Sequence, residues 1–150
     1  VVCVLALLLT LTACGGSDSQ PQKSAAEIAD AIYSTQTFQD TLNAIDADML
    51  GDYYRIDAAD LTDSKVYVSG SFSTAEEIAV FQASSSDAVE NIKKAIDTRL
   101  EDLKLAFENY VPGEMTKIND PVLITKGTTV VLVLADDTAA VSDQVNELLK

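Results

Sequence analysis

One amphipathic stripe constrains this chain more than any other feature. Between Ser86 and Tyr110, the residues Val89, Ile92, Ile96, Leu100, Leu103, Phe107 and Tyr110 recur at steps of three and four, the spacing that lines one face of an α-helix. Glu90, Lys94, Asp97, Glu101, Lys104 and Glu108 take the opposite face, as water requires. Burial contributes about 1.5–3 kcal/mol per large apolar side chain, so this helix is the expected organiser of a core. Ser84-Ser85-Ser86-Asp87 supplies turn and cap residues ahead of it, with Asp87 and Glu90 at capping-box spacing, and Pro112-Gly113 ends it.

A helix with one apolar face must bury it against another layer, and the flanking sequence supplies strands. From Lys65 the period is two, with Val66, Val68 and Phe72 directed to one side and Tyr67, Ser69 and Ser71 to the other. The segment Glu76–Ala83 has two readings. Thr74 and Glu77 imitate a capping box, but the run is short, carries β-branched and aromatic residues, and follows a strand that needs a partner, so a hairpin is expected. After the long helix the order repeats: a strand Val122–Thr125, a tight turn at Lys126-Gly127, a strand Thr128–Leu134, and a helix from about Thr138 with Val141, Val145, Leu148 and Leu149 on its stripe. Val130 to Leu134 is apolar on both faces, which predicts a strand inside the sheet.

Toward the N-terminus, Ser24 and Glu27 form an [ST]-x-x-[DE] capping box, and Ile28, Ala29, Ile32 and Tyr33 predict a helix to about Ser34. Phe38, Leu42, Ile45 and Met49 predict a second short helix over Phe38–Leu50, stopped by Gly51, with Tyr53–Ile56 as a short strand or extended segment. The expected architecture is therefore α+β. An antiparallel sheet of about four to five strands is packed with helices, as two successive strand-strand-helix units after an N-terminal helical part, in one domain over 25–150. The parallel between the units raises the idea of duplication, although no residue-level repeat accompanies it.

Charge and missing residue types narrow the chemistry. Ten Lys and Arg against 24 Asp and Glu give a net charge of −14, which repels phosphate backbones and argues against nucleic-acid binding. With no His, Ser-His-Asp triads, Cys-His dyads and His-based metal sites are excluded. Ser69-Gly70-Ser71 and Ser84–Ser86 lack any activating base and read as turn formers. Asp46, Asp48 and Asp52 imitate the start of a calcium loop, but Leu50 stands where a ligand is needed and Asp57 where the loop needs Glu. Asp57, Asp60 and Asp63 read as a solvated acidic turn. No cofactor and no metal are expected. Paired carboxylates remain the one catalytic option, and the absence of a sugar-stacking Trp counts against it.

Residues 1–13 are apolar and uncharged but too short to span a bilayer, and they read as a signal peptide lacking its start. Leu11-Thr12-Ala13-Cys14 resembles a bacterial lipobox. That resemblance implies that Cys14 becomes the lipidated first residue, leaving no free thiol, and two or three acyl chains make a stable anchor. Residues 14–24, small and polar after Cys14, read as the lipidated Cys and a flexible tether. The expected location is the outer, extracytoplasmic face of a bacterial cell membrane, where the domain's negative charge keeps it off the anionic surface.

Four residues stand out as candidates for partner contact. Tyr53, Tyr54 and Tyr110 form an exposed aromatic patch or close the edge of a core with their hydroxyls in water. Arg99 contacts an anion, or forms an ion pair beside the helix stripe. Several segments together resemble the extracytoplasmic lipoproteins of low-GC Gram-positive bacteria grouped as domain of unknown function 4358. They are Cys14, Asp63–Ser69, Ala75–Phe81, the helix end from Arg99 through Phe107-Glu108-Asn109-Tyr110-Val111-Pro112, and the Gly127 hairpin. The resemblance implies a location and an architecture but no reaction. The expected role is a non-enzymatic protein-binding or scaffolding module with an envelope protein as partner. The alternatives are a small-ligand-binding accessory module and a carboxylate-dependent cell-envelope hydrolase.

Overall fold

A computed structural model describes residues 22–150. The signal peptide and the lipidated Cys14 expected from the sequence lie outside the described residues. Helix α1, Ala25–Thr35, begins at the expected capping box, with Ser24 Oγ accepting from Glu27 N–H and the Glu27 carboxylate accepting from Ser24 N–H. The other helices are α2 (Leu50–Tyr54), α3 (Ser86–Phe107), α4 (Met115–Asn119) and α5 (Thr138–Leu148). The strands are β1 (Leu42–Ala44), β2 (Leu61–Ser69), β3 (Glu77–Ala83), β4 (Val122–Lys126) and β5 (Thr129–Leu134). They form one antiparallel sheet in the order β1-β2-β3-β5-β4. The α+β architecture is as expected, and helices cover both faces.

The strand alternation assigns each face its helices. Ile78 and Val80 of β3 with Val131 and Val133 of β5 pack against Ile28 and Ile32 of α1 and Val141 and Val145 of α5. Ala79, Phe81, Val130, Leu132 and Leu134 face the other way, onto the stripe Val89, Ile92, Ile96, Leu103 and Phe107 of α3, with Tyr54 and Ile118 alongside. β5 is interior, as its two-sided apolar pattern predicts, and β3 is the middle strand. The hairpin turn runs through Gly127 at φ +58, a conformation open to glycine at little cost. Because α3 and α5 lie on opposite faces, the two strand-strand-helix units are not related by a two-fold axis normal to the sheet. Only such an axis exchanges the antiparallel neighbours β3 and β5, so the topology gives duplication no support.

Several local expectations are corrected. Residues 38–56 hold β1, a 3-10 turn over Ala47–Met49 and α2, instead of a helix followed by a strand, and Gly51 lies inside α2 rather than stopping a helix. The four residues assigned to one helical stripe go to different places. Phe38 and Leu42 join the α1–α5 side, Ile45 joins the α3 side, and Met49 is exposed. Phe72 is not the third inward residue of β2, which ends at Ser69; it stands in the following loop. The cap of α3 is Ser85, accepting from Ala88 N–H, in place of Asp87. Helix α3 ends at Phe107, so Tyr110 leaves the stripe and is 86% exposed.

Residues 22 and 23, ahead of α1, already contact the sheet and α5. The Gln22 side chain donates to Thr129 Oγ1, Lys23 C=O accepts from the Gln82 side chain at 2.7 Å, and Lys23 Nζ donates to Leu148 C=O at 2.9 Å. These contacts fasten the incoming chain to the end of the sheet where β3 finishes and β5 starts. Glu77 marks the other end of β3, about 17 Å away at 3.4 Å per residue.

Candidate functional site

At that far end the structure gathers its buried charge beneath an exposed aromatic side chain. Helix α2 brings Tyr53 and Tyr54, the first residue of β3 brings Glu77, and the middle of α3 brings Arg99. Arg99 Nη2 lies 2.6 Å from Glu77 Oε2 and Nε 3.4 Å from Oε1, a two-point contact with a side chain that is itself buried. The guanidinium carbon also sits 5.2 Å from the Tyr53 ring centre and 5.8 Å from that of Tyr54, within cation–π range. Tyr54 donates its hydroxyl to Glu77 and packs edge-on against Phe81. Burial, then the neighbouring Glu77 charge, holds the Tyr54 hydroxyl well above the usual tyrosine range. Burial acts to lower the Arg99 pKa, but Glu77 outweighs it and the guanidinium stays charged.

A second cluster surrounds Lys117 of α4, which is 3% exposed. Its ammonium lies 3.0 Å from Glu114 Oε2, 3.5 Å from Glu76 Oε1 and 3.3 Å from Asp136 Oδ1. Burial again opposes the charge, and Glu114, Glu76 and Asp136 together raise the lysine above its ordinary value. The carboxylates are further occupied by backbone donors. Glu114 accepts from Ala75 N–H at 2.8 Å, and Glu76 accepts from Gln39 N–H at 2.9 Å and Asp40 N–H at 3.0 Å.

From Asp40 the network reaches the loop after β2. The Asp40 carboxylate accepts from the Ser69 hydroxyl and from both the backbone and hydroxyl of Ser71. These bonds, Ser69 first, hold its pKa well below the usual carboxylate range. Gly70 is needed where the loop passes β1, since a Cβ there would meet Asn43 Nδ2 at 2.7 Å and Thr41 C=O at 2.9 Å. The cradled loop presents Phe72, 72% exposed and at φ +57. That left-handed conformation costs an L-residue roughly 1–2 kcal/mol, and a bulky side chain there is a conformational outlier. Beneath the ring is a cleft of about 40 Å³ lined by Tyr53, Phe72, Glu77, Arg99, Leu103 and Phe107, among others. That space is roughly one to two water molecules.

Of the four expected contact residues, Tyr53 and Arg99 reach this cleft. Tyr54 is 1% exposed and serves the core, and Tyr110 is exposed but is not among the cleft residues. Arg99 follows the ion-pair reading. Phe72 and the buried charges Glu76, Glu77, Glu114 and Lys117 escaped sequence reasoning. Charged residues at a strand start and at a short helix were the only signal for these four. Asp57, Asp60 and Asp63, weighed as cation ligands, have separate structural duties. Asp57 accepts from Ala59 N–H, Asp60 from the Asn91 side chain and Asp63 from Ala25 N–H. A wider, open groove of about 380 Å³ runs beside the edge strand β4, lined by Asp120–Ile124, Thr138, Ala139 and Ser142. No helix among the described residues is long and apolar enough to cross a membrane.

The molecule is thus an antiparallel sheet between two helical layers, with an aromatic cleft at one end and the incoming chain at the other. The family model described as Domain of unknown function (DUF4358) matches residues 35–135. The chain belongs to this family. The match takes in all five strands and the α2–α4 layer that builds the cleft, while all of α5 and nearly all of α1 lie outside it. No curated protein and no solved structure matches the chain.

Proposed function

We propose that this protein is a lipid-anchored extracytoplasmic module that binds another envelope protein through the cleft end of its sheet. One observation carries the binding reading: Phe72, a large aromatic side chain, is held in water in an unfavourable backbone conformation by the three bonds that Asp40 accepts from Ser69 and Ser71. Strain of this kind persists where surrounding structure enforces it, and it concentrates at functional sites. The lipobox at Cys14 supports the anchor. Seven residues separate Cys14 from Gln22, so the domain stands at most about 29 Å from its lipid, with the cleft at the end away from the tether.

The buried acids favour binding over hydrolysis. Glu76, Glu77 and Glu114 are each committed to a cation, and each also accepts hydrogen bonds from further donors, which leaves them poorly placed to exchange protons with a substrate. The cleft holds too little space for a small molecule, and the accessory ligand-binding reading is better served by the wider groove beside β4.

Two experiments test this reading. Cys14→Ala is expected to release the protein from the membrane fraction and abolish lipid labelling; a variant still attached and labelled contradicts the anchor. A photo-crosslinking amino acid in place of Phe72 is expected to capture a discrete envelope protein in cells. The same probe at Ser142, beside β4, is expected to capture none. Capture from Ser142 alone overturns the choice of site.

A further inference from the structure

The charges around the cleft specify what kind of partner fits it. Three cations of α2, its C-terminal flank and α3 are already engaged: Arg99 with Glu77, Arg55 with Asp102 at 2.9 Å, and Lys104 with Glu101 at 2.8 Å. The acids beside the contact residues are not. Asp48 and Asp52 run one position behind Met49 and Tyr53, which are themselves one helical turn apart, and Glu108 follows Phe107. All three are exposed, and among the described residues none has a cation within 4.0 Å. By sequence neighbourhood to Tyr53 and Phe107, Asp52, Glu108 and, one turn earlier, Asp48 form an acidic rim without countercharge, on a chain of net charge −14.

We infer that the cleft receives a cationic polypeptide segment, one that places the tip of an aliphatic side chain in the cleft and Lys or Arg against Asp48, Asp52 and Glu108. This inference rests on the binding reading and adds the chemistry of the partner. The small cleft admits an alkyl tip rather than an aromatic ring, and the faces of Phe72 and Tyr53 pack against the rest of the residue. Rim charges act chiefly on encounter rate and partner choice. An anionic polymer or lipid surface is repelled by the same rim, and the tether enters at the opposite end of the sheet.

The test uses the full chain in nanodiscs of neutral phosphatidylcholine and two fluorescent peptides, one of leucine and lysine and one with every lysine replaced by glutamate. The basic peptide is expected to bind at least about tenfold more tightly. Its binding is expected to weaken about tenfold in Phe72→Ala, to weaken in Asp48→Asn/Asp52→Asn, and to fall as salt shortens the screening length. Equal binding of the two peptides overturns the inference. So does tight basic-peptide binding that Phe72→Ala leaves unchanged, since the overall acidity then accounts for it. Crosslinking from position 72 to a protein segment without basic residues overturns the charge inference alone and leaves the binding site intact. No crosslink and no peptide binding overturn both.

Discussion

Replacing Lys117 with methionine is expected to cost about 3–5 kcal/mol of folding stability, the usual result of stripping one partner from a buried ionic cluster. Methionine matches the length of the lysine stem, so the loss reports charge rather than volume. The damage comes from what remains. Glu76 and Glu114 are buried carboxylates whose shared ammonium lies 3.5 and 3.0 Å away, and without it each keeps backbone donors but no countercharge. Adding Glu114→Gln is expected to recover part of the loss, about 1–3 kcal/mol of coupling in a double-mutant cycle. Urea denaturation measures both effects. A loss under about 1 kcal/mol identifies the cluster as one that water already screens. Because Glu76 holds the backbone of Asp40, and Asp40 holds Ser69 and Ser71, faster amide exchange at Ser71 is expected in the same variant.

Arg99→Leu is expected to cost about 3 kcal/mol, because it strands the buried Glu77 with only the Tyr54 hydroxyl as a side-chain partner. Glu77→Gln is expected to cost less, since Arg99 is 16% exposed at its side chain and hydrates at the mouth of the cleft. Arg99→Lys recovers charge but loses the two-point fork and the stacking over Tyr53 and Tyr54. The informative combination is Arg99→Leu with Glu77→Leu. Replacing both charges by apolar groups is expected to restore much of the stability lost in either single variant, as buried pairs commonly behave. If the double variant is no better than Arg99→Leu alone, the arginine stem, not the ion pair, is the stabilising feature.

These two clusters also mark where reading the sequence stops. Elements governed by local chemistry were legible: the Ser24–Glu27 capping box, the stripe of α3 as far as Phe107 and the doubly apolar β5 took their expected form. Elements set by distant partners were not. β1 exists because Leu42 to Ala44 pair with Ser69 to Tyr67, a contact that no local period announces. The apparent helical stripe over 38–49 arose because its apolar residues, bound for opposite faces of the sheet, happen to fall at helical spacing. The same limit explains Phe72. Its alternation with Val66 and Val68 is regular, but the Asp40 carboxylate, far along the chain, bends the backbone out of the strand after Ser69. Of the site, sequence offered Tyr53 and Arg99. The buried acids became visible only when the fold placed lysine and arginine against them.

The melting temperature of Phe72→Gly tests most directly whether the Phe72 loop is kept for contact rather than for folding. Glycine adopts φ +57 without the strain an L-residue bears, and the exposed phenyl ring leaves little packing to lose. The variant is expected to melt about 2–4 °C higher than the parent protein, while Phe72→Ala, which keeps the strain, gains nothing. A melting temperature several degrees lower in Phe72→Gly contradicts the account, because the phenyl ring then supports the fold and the strained loop is no sign of a binding site.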